Sequence, residues 1–443
     1  MDSRDLVVTP TIIIIIYSVA YLIRGRVTDD INRVYFFPAL TVKIIGALAV
    51  GIIYQFYYGG GDTFNYHTHG SRHVWDALMD SPLKWIKLVF GNNSDETGIY
   101  RYSSRIIFFK DPSSYAVVRV ASIFDVLTFS TYSATAVLFA VFSFIGMWML
   151  FLTFYKSYPD LHRLLAAAIF FIPSVFFWGS GLLKDTLTLG CLGMATYAIH
   201  RVLVRHEFRV GLILLLLVAL LGLYKVKIYI LLVYLPAAIV WVFLENLDSL
   251  RSLVLRIMLF PSVITIATVI AYFAMIKASE DNAKYSVNAI ARTAQTTAYD
   301  IRYGTGKDAG SGYSLGELDG TFGSMISLAP QAIVVTLFRP YLWEVNNPLM
   351  LLSSLESVVF ILTTLTIMIR ANIRIFRVFL QPNIFFSLIF SLTFAFAVGV
   401  STYNFGTLVR YKIPLLPFFA LSLILIADYS KRARNVDVLE VTE

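Results

Sequence analysis

The sequence predicts an all-α fold, a polytopic transmembrane helical bundle, and three observations predict it. Charged residues make up 14% of the 443 residues and apolar ones 58%, whereas a soluble protein carries about 25% charged residues. Mean hydropathy is +0.72, more apolar surface than a soluble interior of this length can hide, so the bilayer must act as part of the solvent. The apolar residues also fall in runs. A span needs about 20 such residues, and on that criterion the chain holds about eleven spans.

In chain order the expected spans are 7–23, 35–58, 132–155, 161–177, 186–204, 210–223, 228–244, 253–276, 349–369, 383–400 and 413–427. Residues 1–10 mix Asp and Arg, and no small-residue cleavage site follows, so the first run reads as a retained span. Orientation follows from Lys and Arg in short loops. With the N-terminus outside, the inner segments carry Arg24, Arg26 and Arg33, then Lys156 and Arg163, then Arg201, Arg205 and Arg209. Arg251 and Arg256, then Arg370, Arg374 and Arg377, and finally Lys431, Arg432 and Arg434 continue the pattern, with the C-terminus inside.

Two long segments then face outward. In the first, 59–131, the stretches 71–90 and 114–129 have amphipathic patterns and are expected to lie as helices in the interface plane. The second, 277–348, begins as a polar loop punctuated by Gly304, Gly306, Gly310 and Gly312. It continues into an apolar stretch, 326–338, too short to span and expected to be interfacial or re-entrant. Nothing marks a soluble domain or a repeat, so 1–443 reads as one transmembrane domain. A single cysteine, Cys191, excludes an intrachain disulfide. The net charge of +8 reads as loop basicity in contact with membrane lipids rather than as a nucleic-acid surface.

Chemistry concentrates at the outer ends of the spans. Gly59-Gly60-Gly61-Asp62-Thr63-Phe64-Asn65-Tyr66-His67 follows the second span. Three glycines permit a sharp turn and close approach to a ligand, and a carboxylate there can take a proton from a hydroxyl or hold a developing positive charge. A helix stop with a solvated Asp62 is the plainer account. Tyr66 and His67 are candidate substrate contacts beside Asp62. His67, His69 and His73 fall within seven residues, but their spacing matches no zinc-protease pattern, and a divalent metal, though possible, is not favoured.

Gly179-Ser180-Gly181 resembles the serine motif of rhomboid-type intramembrane proteases. That chemistry needs a histidine on a later helix, and none follows His206. Lys184 and Asp185, next in sequence, form either an anion-binding pair or a structural salt bridge. Lys184, Lys225, Lys227, Arg339, Arg410 and Lys412 all fall on outer segments, against the charge pattern that otherwise sets topology. Such a set suits phosphate or pyrophosphate, Arg as a two-pronged fork and Lys as a point charge. Snorkelling toward headgroups is the alternative.

An acidic residue soon after an early span, on an outer loop with two amphipathic helices, resembles the GT-C class of membrane glycosyltransferases. The resemblance implies a polyprenyl-phosphate-linked sugar as donor, a saccharide, lipid or protein as acceptor, no resident cofactor, and Asp62 as the catalytic base. The extra span before the acidic loop departs from the GT-C pattern, and no DxD pair is present. The chain also resembles bacterial polysaccharide polymerases of the Wzy and EpsG kind, which implies that Arg339 and Arg410 hold a carrier pyrophosphate. Both imply chemistry at the outer face of a bacterial cytoplasmic (inner) membrane. A lipid-linked sugar transporter without bond chemistry is the reading from a different class.

Overall fold

The computed structural model describes residues 3–94, 97–247, 290–300, 319–370 and 381–442, with short stretches at 261–263, 265–266, 269, 312–313, 315–316 and 378–379. The expected span 253–276 lies almost wholly outside the described residues, as do Arg251, Arg256, Arg374, Arg377 and the glycines at 304–310. The described elements are helices, apart from an isolated bridge between Gly312 and Asn404. The chain gathers into two compact units. The first comprises 1–171, 175–198 and 213–227, and the second 172–174, 199–212 and 228–443.

The helices Asp5–Val27 (α1) and Arg33–Phe56 (α2) open the first unit. Arg24 and Arg26 sit in the last turn of α1, where cations complement the helix dipole. The short helices Asp62–Tyr66 (α3), Arg72–Asp80 (α4), Pro82–Phe90 (α5) and Tyr100–Ser103 (α6) follow, with a π-helical turn, His67–Ser71, between α3 and α4. Pro112–Thr128 (α7) is capped by Asp111, whose carboxylate accepts from the Ser113 N–H at 3.1 Å. It ends at Phe129, in left-handed backbone (φ 52°). Tyr132–Tyr155 (α8), His162–Phe170 (α9), Pro173–Trp178 (α10), Lys184–Ile199 (α11) and Val210–Glu245 (α12) complete the first half.

The core of this unit is aromatic where α2 meets α8: Phe36 sits edge-on to Phe144 and Trp148, and Trp148 stacks on Phe170. It is glycine-lined where α8 meets α11. A Cβ on Gly146 would lie 2.0 Å from the Gly190 carbonyl, and one on Gly193 2.1 Å from the Gly146 carbonyl, so the two backbones touch.

The second unit contains Ile290–Asp300 (α13), Phe322–Ser327 (α14), Ala329–Phe338 (α15), Pro348–Arg370 (α16), Pro382–Ser401 (α17), Phe405–Tyr411 (α18) and Leu416–Thr442 (α19). α15 packs along α17, where Thr336 donates to the Ala395 carbonyl at 2.9 Å and a Cβ on Gly399 would lie 2.4 Å from the Ala332 carbonyl. The 326–338 stretch is therefore packed against another helix rather than isolated on a surface.

Seven helices among the described residues are long and apolar enough to cross a membrane: α1, α2, α8, Lys184–Val204 (α11 with its π-helical extension), α12, α16 and α17. An eighth is available if α18 and the start of α19, which meet at 67°, form one broken span. The chain is thus an all-helical membrane protein. Three expectations are corrected in detail. The run 161–177 is not one span, because the helix stops at Phe170 and restarts at Pro173; a proline disfavours helical backbone in the residue before it. The run 71–90 is two helices, broken at Ser81 (φ −161°, ψ 127°) ahead of Pro82 for the same reason. The runs 210–223 and 228–244 meet with no loop between them: α12 is helical through Tyr224 and Lys225 and departs only at Lys227 (φ −147°, ψ 79°).

Candidate functional site

The α2–α3 turn shows why its sequence is GGGD. Gly59, Gly60 and Gly61 have φ of 68°, 143° and 124°, values that L-residues with a Cβ avoid. A Cβ on Gly61 would also lie 2.8 Å from the Tyr54 ring. The turn makes Asp62 the first residue of α3.

Asp62 is half-buried. Together with Asp111, Asp185 and Lys227 it lies close enough to act on the charge of Lys184. The Lys184 ammonium donates to the Ser113 hydroxyl at 2.6 Å and lies 3.7 Å from Asp111. Burial opposes the Asp111 charge, but hydrogen bonds from Ser114 and the nearby ammonium outweigh it and hold that carboxyl below its usual pKa. Asp185 pairs with Lys227, both buried. Adjacent in sequence, Lys184 and Asp185 thus have different bonding partners here, Ser113 with Asp111 and Lys227.

The glycine turn also borders a pocket of about 330 Å³. Gly59 and Gly60 form one edge, and Asp5, Gln55, His67 and Arg72 contribute to the rest. Phe64 and Tyr132, stacked with centroids 4.5 Å apart, supply an apolar patch. Tyr132 is fixed by a 2.7 Å hydrogen bond to Thr63. Behind this wall His67 Nε2 lies 3.7 Å from Asp125, which accepts from Thr135 Oγ1 at 2.6 Å. His67 and Asp125 are both buried. No group of three or more His, Cys, Asp and Glu suited to a metal gathers among the described residues.

Of the expected site residues, Asp62, Tyr66, His67, Lys184, Lys225 and Lys227 belong to the first unit and Arg339, Arg410 and Lys412 to the second. Tyr66 is buried against Phe108. Lys225 is exposed on α12, beside the Tyr224 ring. Lys227 is not a surface cation, since a charge this deep needs a partner and finds Asp185.

In the second unit the Arg339 guanidinium bonds Glu344 through two nitrogens, one at 3.0 Å, between the rings of Tyr313, Tyr341 and Phe405. Lys412 is fully buried at the α18–α19 bend and donates to the Arg339 carbonyl at 3.1 Å. Glu356 of α16 is its electrostatic partner. Arg410 is half-buried in the last turn of α18. Sequence reasoning missed the acidic halves of these arrangements, Asp111, Asp125, Glu344 and Glu356. A lone acid in an apolar run was a signal for Asp125 and Glu356; nothing local pointed to the partners.

No protein-family profile, curated protein or solved structure matches the chain.

Proposed function

We propose that the chain transfers a sugar from a polyprenyl-phosphate carrier to an acceptor at the outer face of a bacterial cytoplasmic membrane. One observation carries the reading: the glycine turn, whose Gly59 and Gly60 line a pocket with both polar and aromatic walls, leads directly into Asp62, within electrostatic reach of Lys184. Transfer to a hydroxyl needs a group to take or steady its proton and cations to receive the phosphate as it leaves. Asp62 is the carboxylate in this account. Lys184 is its nearby cation. Arg339 shares its fork with Glu344, so a phosphate there would compete with that carboxylate. The Wzy-like variant of the reading, in which the acceptor is itself carrier-linked, makes Arg339 and Arg410 the dominant residues.

The test uses the full chain in lipid nanodiscs with undecaprenyl-phosphate-linked hexoses. Asp62→Asn should slow transfer by about 10²- to 10⁴-fold, the usual worth of a general base, with an unchanged melting temperature. Full activity in this variant removes Asp62 from the mechanism. Transport without bond chemistry is the second reading, favoured by the charged groups buried within spans, Lys43, Asp185 with Lys227, and Glu356. Intact carrier crossing the bilayer, with no polyprenyl phosphate released, would decide for it.

A further inference from the structure

The second unit holds a buried polar cluster that sugar transfer does not use. It centres on Glu356, about two turns into α16. Glu356 is 7% exposed, Ser353 1%, and Ser354, Ser357 and Lys412 0%. Glu356 Oε2 accepts from the Ser174 N–H at 2.9 Å. Glu356 Oε1 and the hydroxyls of Ser353, Ser354 and Ser357 have no hydrogen-bond partner among the described residues. Ser353 lies three positions before Glu356 and four before Ser357, and Ser354 lies three before Ser357, so the four share one side of the helix. Buried polar groups are hydrogen-bonded as a rule. Four orphans on one side of one helix therefore mark a place that receives a ligand.

Lys412 narrows the choice of ligand. Its ammonium donates to the Arg339 carbonyl at 3.1 Å, which uses one of its three N–H bonds. Lys412 and Glu356 act on each other's charge, yet among the described residues no ion pair or hydrogen bond joins them. α16 packs against α15, α18, α19 and the turn Leu342–Glu344. The titratable groups on these elements and at their ends are Arg339, Tyr341, Glu344, Arg410, Tyr411, Lys412 and the α19 residues from Asp428 onward. Arg339 and Glu344 bond each other, and Lys412 is the cation that acts on Glu356. A metal ion at the cluster would be repelled by Lys412 and an anion by Glu356. A sugar would need an opening that side chains this deeply covered do not offer. Water fits, because it accepts from an ammonium and donates to a carboxylate, and a buried water typically makes about three such bonds. Water against a carboxylate can also hand it a proton, and carboxylates inside membranes serve in proton relays.

We propose that Glu356 is a proton-binding group within the α16 span, served by water seated among its Oε1, the serine hydroxyls and Lys412. In the step, a proton from the aqueous phase passes along the water. The Oε1–H bond forms as an O–H bond of the adjacent water breaks. That electron pair stays on the water oxygen, which recovers a proton from the aqueous side. The net change is one proton from solvent to Glu356, and Lys412 keeps its own. The site belongs to a different unit from Asp62 and stands whether or not the chain transfers sugars.

The test is infrared difference spectroscopy of the full chain in nanodiscs, stepped from neutral to acidic buffer in H2O and in D2O. A carboxylic-acid C=O band should grow on acidification, move to lower frequency in D2O, and be lost in Glu356→Gln. Ser353→Ala combined with Ser357→Ala removes two partners of the water and leaves both charges in place. That variant should keep the band and move it to higher frequency, because the carboxyl loses hydrogen bonds. It carries the test where Glu356→Gln lowers the melting temperature. A C=O band that D2O does not move, a band indifferent to the double alanine change, or no carboxyl band that depends on Glu356 at any pH where the chain stays folded overturns the proposal.

Discussion

Lys227 and Asp185 are buried together, and each compensates the charge of the other. Removing one partner strands a charge in a low-dielectric interior, so Lys227→Met or Asp185→Leu alone should cost about 3–5 kcal/mol, whereas the double replacement should be close to neutral. Thermal unfolding of the four proteins in one detergent checks this; equal losses in single and double variants would mean that the pair does not act as a unit. Lys43 is a different kind of buried charge. Its ammonium donates to the Ser143 hydroxyl and to the carbonyls of Val175 and Gly179, where α10 ends. It adds a second donor to the Val175 carbonyl, which already accepts the Gly179 N–H, and supplies one to the Gly179 carbonyl just past the end of α10. His67 and Asp125 lie 58 positions apart in sequence, and no local pattern joins them. The histidine triplet drew notice at the sequence level, whereas Asp125 was one acid within an apolar helix. Pairing of this kind becomes visible only when the turn His67–Ser71 packs on α7.

Helix boundaries were legible where a long apolar run ended in polar residues. The expected 132–155 coincides with α8, and the expected 35–58, 349–369 and 383–400 each lie within two residues of α2, α16 and α17 at both ends. Two of the errors share a cause. Hydropathy averages over a window and passes through single residues such as Ile172 and Ser81, where backbone geometry breaks the helix. Proline at 173 and 82 was the available signal for these breaks. At 224–227 the reading ran the other way: the lysines ended the expected run at 223, whereas the helix continues through Tyr224 and Lys225 and departs only at Lys227.

Two predictions belong to elements. Gly146→Ala places a methyl group against the Gly190 backbone and must spread α8 from α11. It should cost about 1–3 kcal/mol, read as a lower melting temperature; an unchanged value would mean that the helices do not meet there. Asp111→Ala removes the cap of α7 and should cost about 1 kcal/mol. The Asp111 pKa is lower folded than unfolded, so its contribution is present above the unfolded value, about 3.9, and is lost as pH falls through the folded value. The penalty of Asp111→Ala should therefore shrink on acidification, and a constant penalty would contradict the ionic part of the cap.

At the scale of the whole molecule, the proposed topology, with the N-terminus outside, can be checked by labelling. In a Cys191→Ala background, Lys110→Cys in the 59–131 segment should react with an impermeant maleimide on intact cells. Ser157→Cys, after α8, should react only once the membrane is opened. Reversed labelling would put Asp62 on the cytoplasmic side and end the outer-face reading. The most direct measurement of the central claim follows both products from one carrier. Purified full-length protein in nanodiscs is given undecaprenyl-phosphate-linked hexose labelled in the sugar, together with a range of saccharide acceptors. The account predicts free undecaprenyl phosphate in step with labelled, lengthened saccharide. Carrier that stays intact across the range of hexoses and acceptors would contradict it.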